Sequence, residues 1–527
     1  MLEAFDVAIV GGGHNGLVAA AYLARAGLRV LVLERRASLG GPVATEPIAP
    51  GFRGPTGATV CGLLRPEIVE DLNLFGRGVQ FIPVDPEVVA LGDGKALRLW
   101  RDMRKTQSEL SSVSAKDSEA YPRFVEFLSQ FAAALDPLMA MAPPNLAAPT
   151  LGEQAGLVRR ALRLRRLGKA VMQQMLRLPP MPVRDVLDEW FESELLKASL
   201  SVDALLGTFE GPWSPGTAFG LIRHFLPGVH GSAWSFVRGG MGTLAAALGD
   251  AARAAGATIR TESEVRRILS GGNRVTGVEL ATGEIIEAKV VASNADPKRT
   301  FLRLVASEEL GPEFLVQVRN FQMNGVVAKV NFALDAAPTL AAWPDGTPAH
   351  FRVCPSMEYI ERAYDDAKYG KVSGNPFLDV FVPTTLDPNL APPGKHVLSA
   401  TVQYAPYGLR RGTWDKEGEK LGDRVQALLD EAIPGFKRLV IARQVLTPAD
   451  FETRFALTEG HIYHGEMTLN QSFVLRPVPG WSRYRTPIEG LYLCGSGAHP
   501  GGGITGAPGL NASREILRDW PHFARAA

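Results

Sequence analysis

The sequence predicts an α/β fold: a nucleotide-binding sheet assembled from stretches far apart in the chain, joined to a mixed sheet-plus-helix domain. Three observations predict it. The apolar strand FDVAIV runs into Gly11, Gly13 and Gly16 in G-x-G-x-x-G spacing, then into an alanine- and leucine-rich helix and a second strand ending at Glu34. Near the other end, LYLC leads into seven glycines between Gly495 and Gly509. Between them, residues 325–405 hold strand-like runs such as GVVAKVNFAL, FLDVFVP and HVLSATVQYAP.

A chain of 527 residues is too long for one ordinary core. Its 56 basic and 55 acidic side chains leave a formal charge of +1, which gives no long-range attraction for nucleic acid. The three cysteines, Cys61, Cys354 and Cys494, form no C-x-x-C pair. That argues against a redox dithiol or zinc ribbon and fits a reducing compartment. No metal site is expected. The start, MLEAFDVAIVGGG, has no basic region ahead of an apolar run, and no run reaches the roughly 18–20 apolar residues of a spanning helix. The expectation is a cytoplasmic protein that spans no membrane.

The elements follow in order. Residues 1–75 open the nucleotide-binding domain with strand, turn, helix and strand, the helix stopping at Gly27. Residues 76–230 form a cap region. It holds a hairpin around Gly92-Asp93-Gly94 and helices over 117–141, 152–178 and 184–206. Residues 231–305 return to the first domain through a helix over 243–256 and the strands of ATIRTESEVRRIL and RVTGVELATGEIIEAKVVASNAD. Residues 306–464 supply an antiparallel substrate-domain sheet, and 465–527 close the nucleotide-binding domain with a strand, a glycine loop and a helix beginning near Thr505.

Each glycine of the first motif has a task. Gly11 permits the tight turn, Gly13 lets backbone approach a pyrophosphate, and Gly16 lets the helix pack on the strand. The helix N-terminus offers free N–H groups to the phosphates. Glu34, at the end of the second strand, can accept hydrogen bonds from both ribose hydroxyls of an adenosine. The C-terminal glycines imply close backbone approach to a ligand. The N–H groups of the helix that follows can face a ligand and stabilise negative charge that develops on it.

After Glu34 come Arg35, Arg36 and the pair Gly40-Gly41. This acid-then-glycine-pair arrangement resembles the extended fingerprint of the glutathione-reductase-type FAD-binding superfamily, and no second strand-linked G-x-G-x-x-G follows for a nicotinamide nucleotide. With GGGHNGLVAAAYLARAG, LLRPEI, VRGGMGTLAAAL, SNADP, EGHIYHGEMTLNQSFVLRP and GLYLCGSGAHPGGG, the chain resembles the phytoene desaturase-related branch of the flavin amine oxidase superfamily. Within that branch it is most similar to the group named for a pyridine nucleotide-disulphide oxidoreductase domain. The missing dithiol speaks against the disulphide chemistry of that name. The resemblance implies a discontinuous Rossmann FAD-binding domain of glutathione-reductase type. It also places Val265 against the adenine, Gly495 and Ser496 at the ribityl end, and Gly503, Ile504 and Thr505 near the isoalloxazine. Ser496 stands where the wider superfamily often has Asp, which weakens a carboxylate–ribityl contact there.

The implied chemistry is FAD-dependent hydride transfer from a hydrophobic carotenoid, isoprenoid or lipid-like substrate. Oxidation of an amine, or a non-catalytic FAD-binding regulatory role, are the alternatives. The catalytic candidates are His499, His464 and Tyr463, with His461 and His230 behind them. His499 leads because its glycine loop should lie beside the flavin. The stretch RRALRLRRLGK carries six basic residues within 157–178, with apolar residues at helical spacing. It reads either as a solvated helix packed on the core or as a peripheral membrane contact. The related animal group implies a mitochondrial location as a variant. Oligomeric state is not legible.

Overall fold

The protein is described by a computed structural model covering residues 5–145, 168–229, 234–343 and 346–525, with isolated positions between 152 and 165. Two seven-stranded sheets organise it. In the first, β1 (Phe5–Val10) lies in parallel between β2 (Val30–Leu33) and strand Ile285–Ser293. Val7, Ala8, Ile9, Leu31 and Val32 are completely buried, as befits a sheet covered on both faces. Helix α1 (His14–Arg25) packs against the helices Met241–Ala254 and Ala507–Arg525. It stops where Gly27 takes φ +88. Strand Leu491–Leu493 adds in parallel to Ile285–Ser293, so three distant stretches of sequence share one sheet.

The second sheet runs in the order Val440–Leu446, Val327–Leu334, His396–Gln403, Phe377–Phe381, His350–Val353, Val88–Gly92, Lys95–Leu99. Strand Val327–Leu334 is buried along its whole length. The hairpin expected around Gly92–Gly94 is present, but its first strand pairs in parallel with His350–Val353. It therefore belongs to this sheet and not to the helical cap.

The cap helix expected over 184–206 is two helices, Val183–Trp190 and Glu194–Leu205. The buried Asp117 carboxylate accepts hydrogen bonds from Glu192 N and Ser193 N (2.8 Å each), so the chain turns there instead of continuing. Most of the run RRALRLRRLGK, namely residues 160–164, 166 and 167, lies outside the described residues. Helix Lys169–Arg177, which begins at its last residue, packs Met175 on the cap core and leaves Leu176 81% exposed. Among the described residues, no helix is long and apolar enough to cross a membrane.

Candidate functional site

A cavity of about 340 Å³ runs from the β1–α1 turn to the face of the second sheet. At the turn, Gly11 has φ +97, a conformation that a β-carbon penalises. A β-carbon on Gly13 would lie 2.7 Å from Asn294 Nδ2, and one on Gly16 only 2.4 Å from Gly11 O. So the third glycine does set the helix against the strand. Helix α1 has no side-chain cap and no acid in its first turn, which leaves its leading N–H groups for an anion. Glu34 is buried. Its Oε2 accepts from Gly12 N and its Oε1 from Arg36 N, both at 2.8 Å, which fixes the carboxylate at the cavity wall. Arg35 donates to Thr453 O (2.7 Å), and Gly40 N donates to Gly12 O (2.9 Å), folding the glycine pair back over the turn. Arg35, Gly40, Gly41 and Val265 all line the same cavity.

The C-terminal segment closes onto this turn. Cys494 N donates to Ser293 O (2.8 Å), and Gly495 packs so closely on Asn294 that a β-carbon would stand 2.5 Å from its carbonyl. Asn294 Nδ2 in turn donates to Gly11 O (3.3 Å), and Asn15 Nδ2 donates to Ser496 Oγ (3.1 Å). Residues 481 positions apart in the chain are thus joined by a single hydrogen bond. Ser496, Gly503 and Ile504 line the cavity; Gly16 and Gly495 do not, being packed against Asn294, and Thr505, expected near the isoalloxazine, lines a smaller pocket with Arg223 and Met139 instead. Ile504 (φ +56) and His464 (φ +56), both on the wall, hold left-handed backbone that costs of order 1–3 kcal/mol and concentrates at binding sites.

His499 does not face the cavity. It is buried on the other side of the glycine segment, where Nε2 meets Leu138 O at 2.8 Å, and burial pushes its pKa down to about 4. Sequence proximity to the glycines misled here, because the loop presents Ser496, Gly503 and Ile504 inward and turns residue 499 toward helix Ala115–Met139. Tyr463 and His464 do line the cavity. Burial lowers His464 to about 4, so it is neutral at pH 7, and burial raises the Tyr463 phenol. His461 sits behind them, its Nε2 3.2 Å from Glu466 Oε1, and His230 lies outside the described residues.

The far end of the cavity holds residues that sequence reasoning missed. Lys329 is buried, and its Nζ donates to Thr59 Oγ1 (2.8 Å) and Thr401 Oγ1 (3.3 Å). Burial pushes its pKa down to about 8, against the pull of Asp379. Asp379 accepts from His350 Nε2 and Arg352 Nε, both at 2.8 Å; these partners overcome burial and hold its carboxyl below the usual range. Arg352 also donates to Asp203 Oδ1 (2.5 Å) and Ser199 O (2.7 Å) and lies over the Trp234 ring. One signal was available: Lys329, Arg352 and Asp379 are lone charges inside buried apolar strands, where charge is rare unless paired.

Three buried polar atoms of cavity-lining residues, His14 Nε2, Asn15 Oδ1 and His464 Nδ1, have no partner among the described residues. Each such atom costs about 1–3 kcal/mol until a ligand meets it. Together with the glycine cradle and Glu34, they fit a dinucleotide. The sequence matches the flavin containing amine oxidoreductase family over residues 16–517. The chain belongs to that family. Its cofactor is FAD, and it is an FAD-dependent oxidoreductase.

The pyridine nucleotide-disulfide oxidoreductase domain-containing protein 2 of Rattus norvegicus is 40% identical, covering 98% of this chain and 94% of its own. A limonene dehydrogenase chain of Castellaniella defragrans is 30% identical (98% and 94%), and the lycopene-forming phytoene desaturase of Pseudescherichia vulneris 28% (96% and 96%). The resemblance to the phytoene desaturase-related branch therefore holds. A solved oxidoreductase from Methanosarcina mazei shares the fold, with TM-score 0.61 at 20% identity over 97% of this chain and all of its own. In this flavoprotein the three cysteines are buried and free, each thiol pushed up by burial to about 12, so a disulfide mechanism has no basis among the described residues.

Proposed function

We propose that this flavoprotein dehydrogenates a hydrophobic, isoprenoid- or lipid-like substrate. One observation carries the reading. The sheet end of the cavity is walled by Val60, Leu63, Leu206, Val327, Phe381 and Ile462, and both of its carboxylates, Asp203 and Asp379, are already bonded to Arg352. An apolar chain gains burial there at about 25 cal/mol per Å². Bound FAD supplies the hydride acceptor. The protein's own residues would bind and orient it: Gly11, Gly13, Asn15, Glu34 and Val265 would hold the adenosine diphosphate half, and Ser496, Gly503 and Ile504 the other half. His464, neutral at pH 7, can accept a hydrogen bond but carries no charge into the cavity. The names of the limonene and phytoene enzymes support the substrate class.

A second reading, amine oxidation, is favoured by one feature: the two carboxylates sit beside Trp234 and Phe381, an acidic and aromatic setting that suits a cation. Anaerobic mixing of the yellow holoprotein with a panel of polyenes, monoterpenes and amines separates the readings. Bleaching by a polyene or monoterpene supports the first. Bleaching by amines alone refutes it, and no bleaching by any donor points to a non-catalytic FAD-binding role. On the first reading the exposed Leu176 and Met172 on helix Lys169–Arg177 mark where the protein meets lipid, in a cytoplasmic or mitochondrial setting. Flotation with liposomes tests that.

A further inference from the structure

Two guanidinium groups stand behind the glycine segment, and one carboxylate, Glu466, acts on one of them, Arg476. Arg476 is fully buried. It donates to Ser496 O through Nη2 (2.8 Å) and Nε (3.2 Å), to Glu466 O through Nη1 (2.8 Å) and to Tyr463 O through Nη2 (3.1 Å). Arg223, on helix Ala218–His224, donates through Nη2 to Gly502 O (3.1 Å). Among the described residues neither forms an ion pair. No carboxylate acts on Arg223, and the charges acting on Arg476 are Arg223 itself and Glu466. The Glu466 carboxylate is shared, with Oε2 accepting from Phe209 N (3.2 Å) and Oε1 3.2 Å from His461 Nε2. Burial keeps His14, His464 and His499 neutral at pH 7, so they add no charge of either sign. The positive charge behind Ser496 and Gly502–Gly503 is therefore in excess.

An uncompensated buried cation is costly and is relieved when negative charge develops nearby in a site of low polarity. Reduction of an isoalloxazine by two electrons and one proton adds one negative charge. We propose that Arg223 and Arg476 are positioning residues that lay a fixed positive field along the flavin-facing glycine segment and so favour the reduced, anionic form of bound FAD. They act through the backbone carbonyls of Ser496 and Gly502. The inference rests on FAD occupying this cradle and not on the proposed substrate, so the two fail independently.

The test is the midpoint potential of the FAD in the holoprotein, measured by dithionite reduction in equilibrium with reference dyes. Arg223→Gln is expected to shift the oxidised-to-reduced partition at least tenfold toward oxidised, a fall of about 30 mV for a two-electron couple. Arg223→Lys, which keeps the charge, is expected to recover most of it. Glu466→Gln removes the carboxylate that acts on Arg476 and is expected to move the potential upward. A potential unchanged in R223Q, equal losses in R223Q and R223K, or a fall in E466Q overturns the proposal. The E466Q arm decides if R223Q does not retain FAD.

Discussion

Replacing Lys329 with Met tests whether a charge is held in the cavity floor. The folded chain lowers this lysine from the ordinary 10.5 to about 8, chiefly by burial. At about 1.4 kcal/mol per tenfold change in proton affinity, that is a penalty on the order of 3 kcal/mol. The sign follows from proton counting. Between pH 8 and 10.5 the unfolded chain keeps a proton that the folded chain has released, so parent stability rises with pH across this window. Below pH 8 the full penalty is present, and above 10.5 it is gone. Lys329→Met removes the titration altogether. It also leaves the Thr59 and Thr401 hydroxyls without this donor, at a pH-independent cost of about 1–3 kcal/mol. The assay is the urea-unfolding midpoint of parent and variant, followed by tryptophan fluorescence at pH 7, 8, 9 and 10, and only the difference between them is read. Surface groups common to both cancel. The parent should gain most of the roughly 3 kcal/mol on the variant by pH 10. A difference that stays constant across the series refutes a buried, depressed lysine, and one that moves the opposite way shows that Asp379 dominates over burial.

Three further outcomes follow from the cradle. Glu34→Ala strips the acceptor from the Gly12 and Arg36 amides and should weaken FAD binding about tenfold or more, read from flavin fluorescence on dilution. Gly16→Ala drives a methyl to 2.4 Å from Gly11 O, so the purified variant should lack bound flavin by its visible spectrum. His499→Gln should leave the rate of flavin reduction by a bleaching substrate within about twofold, because the histidine bonds Leu138 behind the loop, while thermal stability falls by about 1 kcal/mol. A large rate loss in that variant would return His499 to the catalytic candidates.

How much was legible depended on the range of the interaction. The β1–α1 turn is local: Gly11, Gly13 and Gly16 sit within six positions, and each answers a constraint set by immediate neighbours. Glu34 could be placed because it ends the second strand, and the closure by residues 495–504 because LYLC runs straight into the glycines and the family resemblance assigns them to the flavin end. The hairpin Val88–Leu99 was legible as a hairpin but not as part of the second sheet, since its partner strand lies some 260 residues away and parallel pairing leaves no turn to read. His499 failed for a different reason. A glycine-rich loop has no side-chain periodicity, so nothing in its spelling tells which residue faces inward. Ile504 and His464 carry a left-handed backbone without being glycine, a feature visible only in the fold.

The floor of the cavity bears on the substrate through its charge balance. Two carboxylates lining this end of the pocket would by themselves select a cation. Here Arg352 bonds both Asp203 and Asp379, His350 adds a second hydrogen bond to Asp379, and Lys329 lies close enough to feel it. A buried pair of this kind gives little net stability, because desolvation offsets most of the attraction, but removing one partner leaves an uncompensated charge at several kcal/mol. An ammonium substrate would have to compete with Arg352 for oxygens it already holds. An apolar chain has no ion pair to break and gains burial against Val60, Leu206, Val327 and Phe381. The same network that would attract an amine if it were open therefore works, closed on itself, as a neutral polar floor beneath a hydrophobic site, and on this balance the dehydrogenation of a hydrophobic molecule is the better reading.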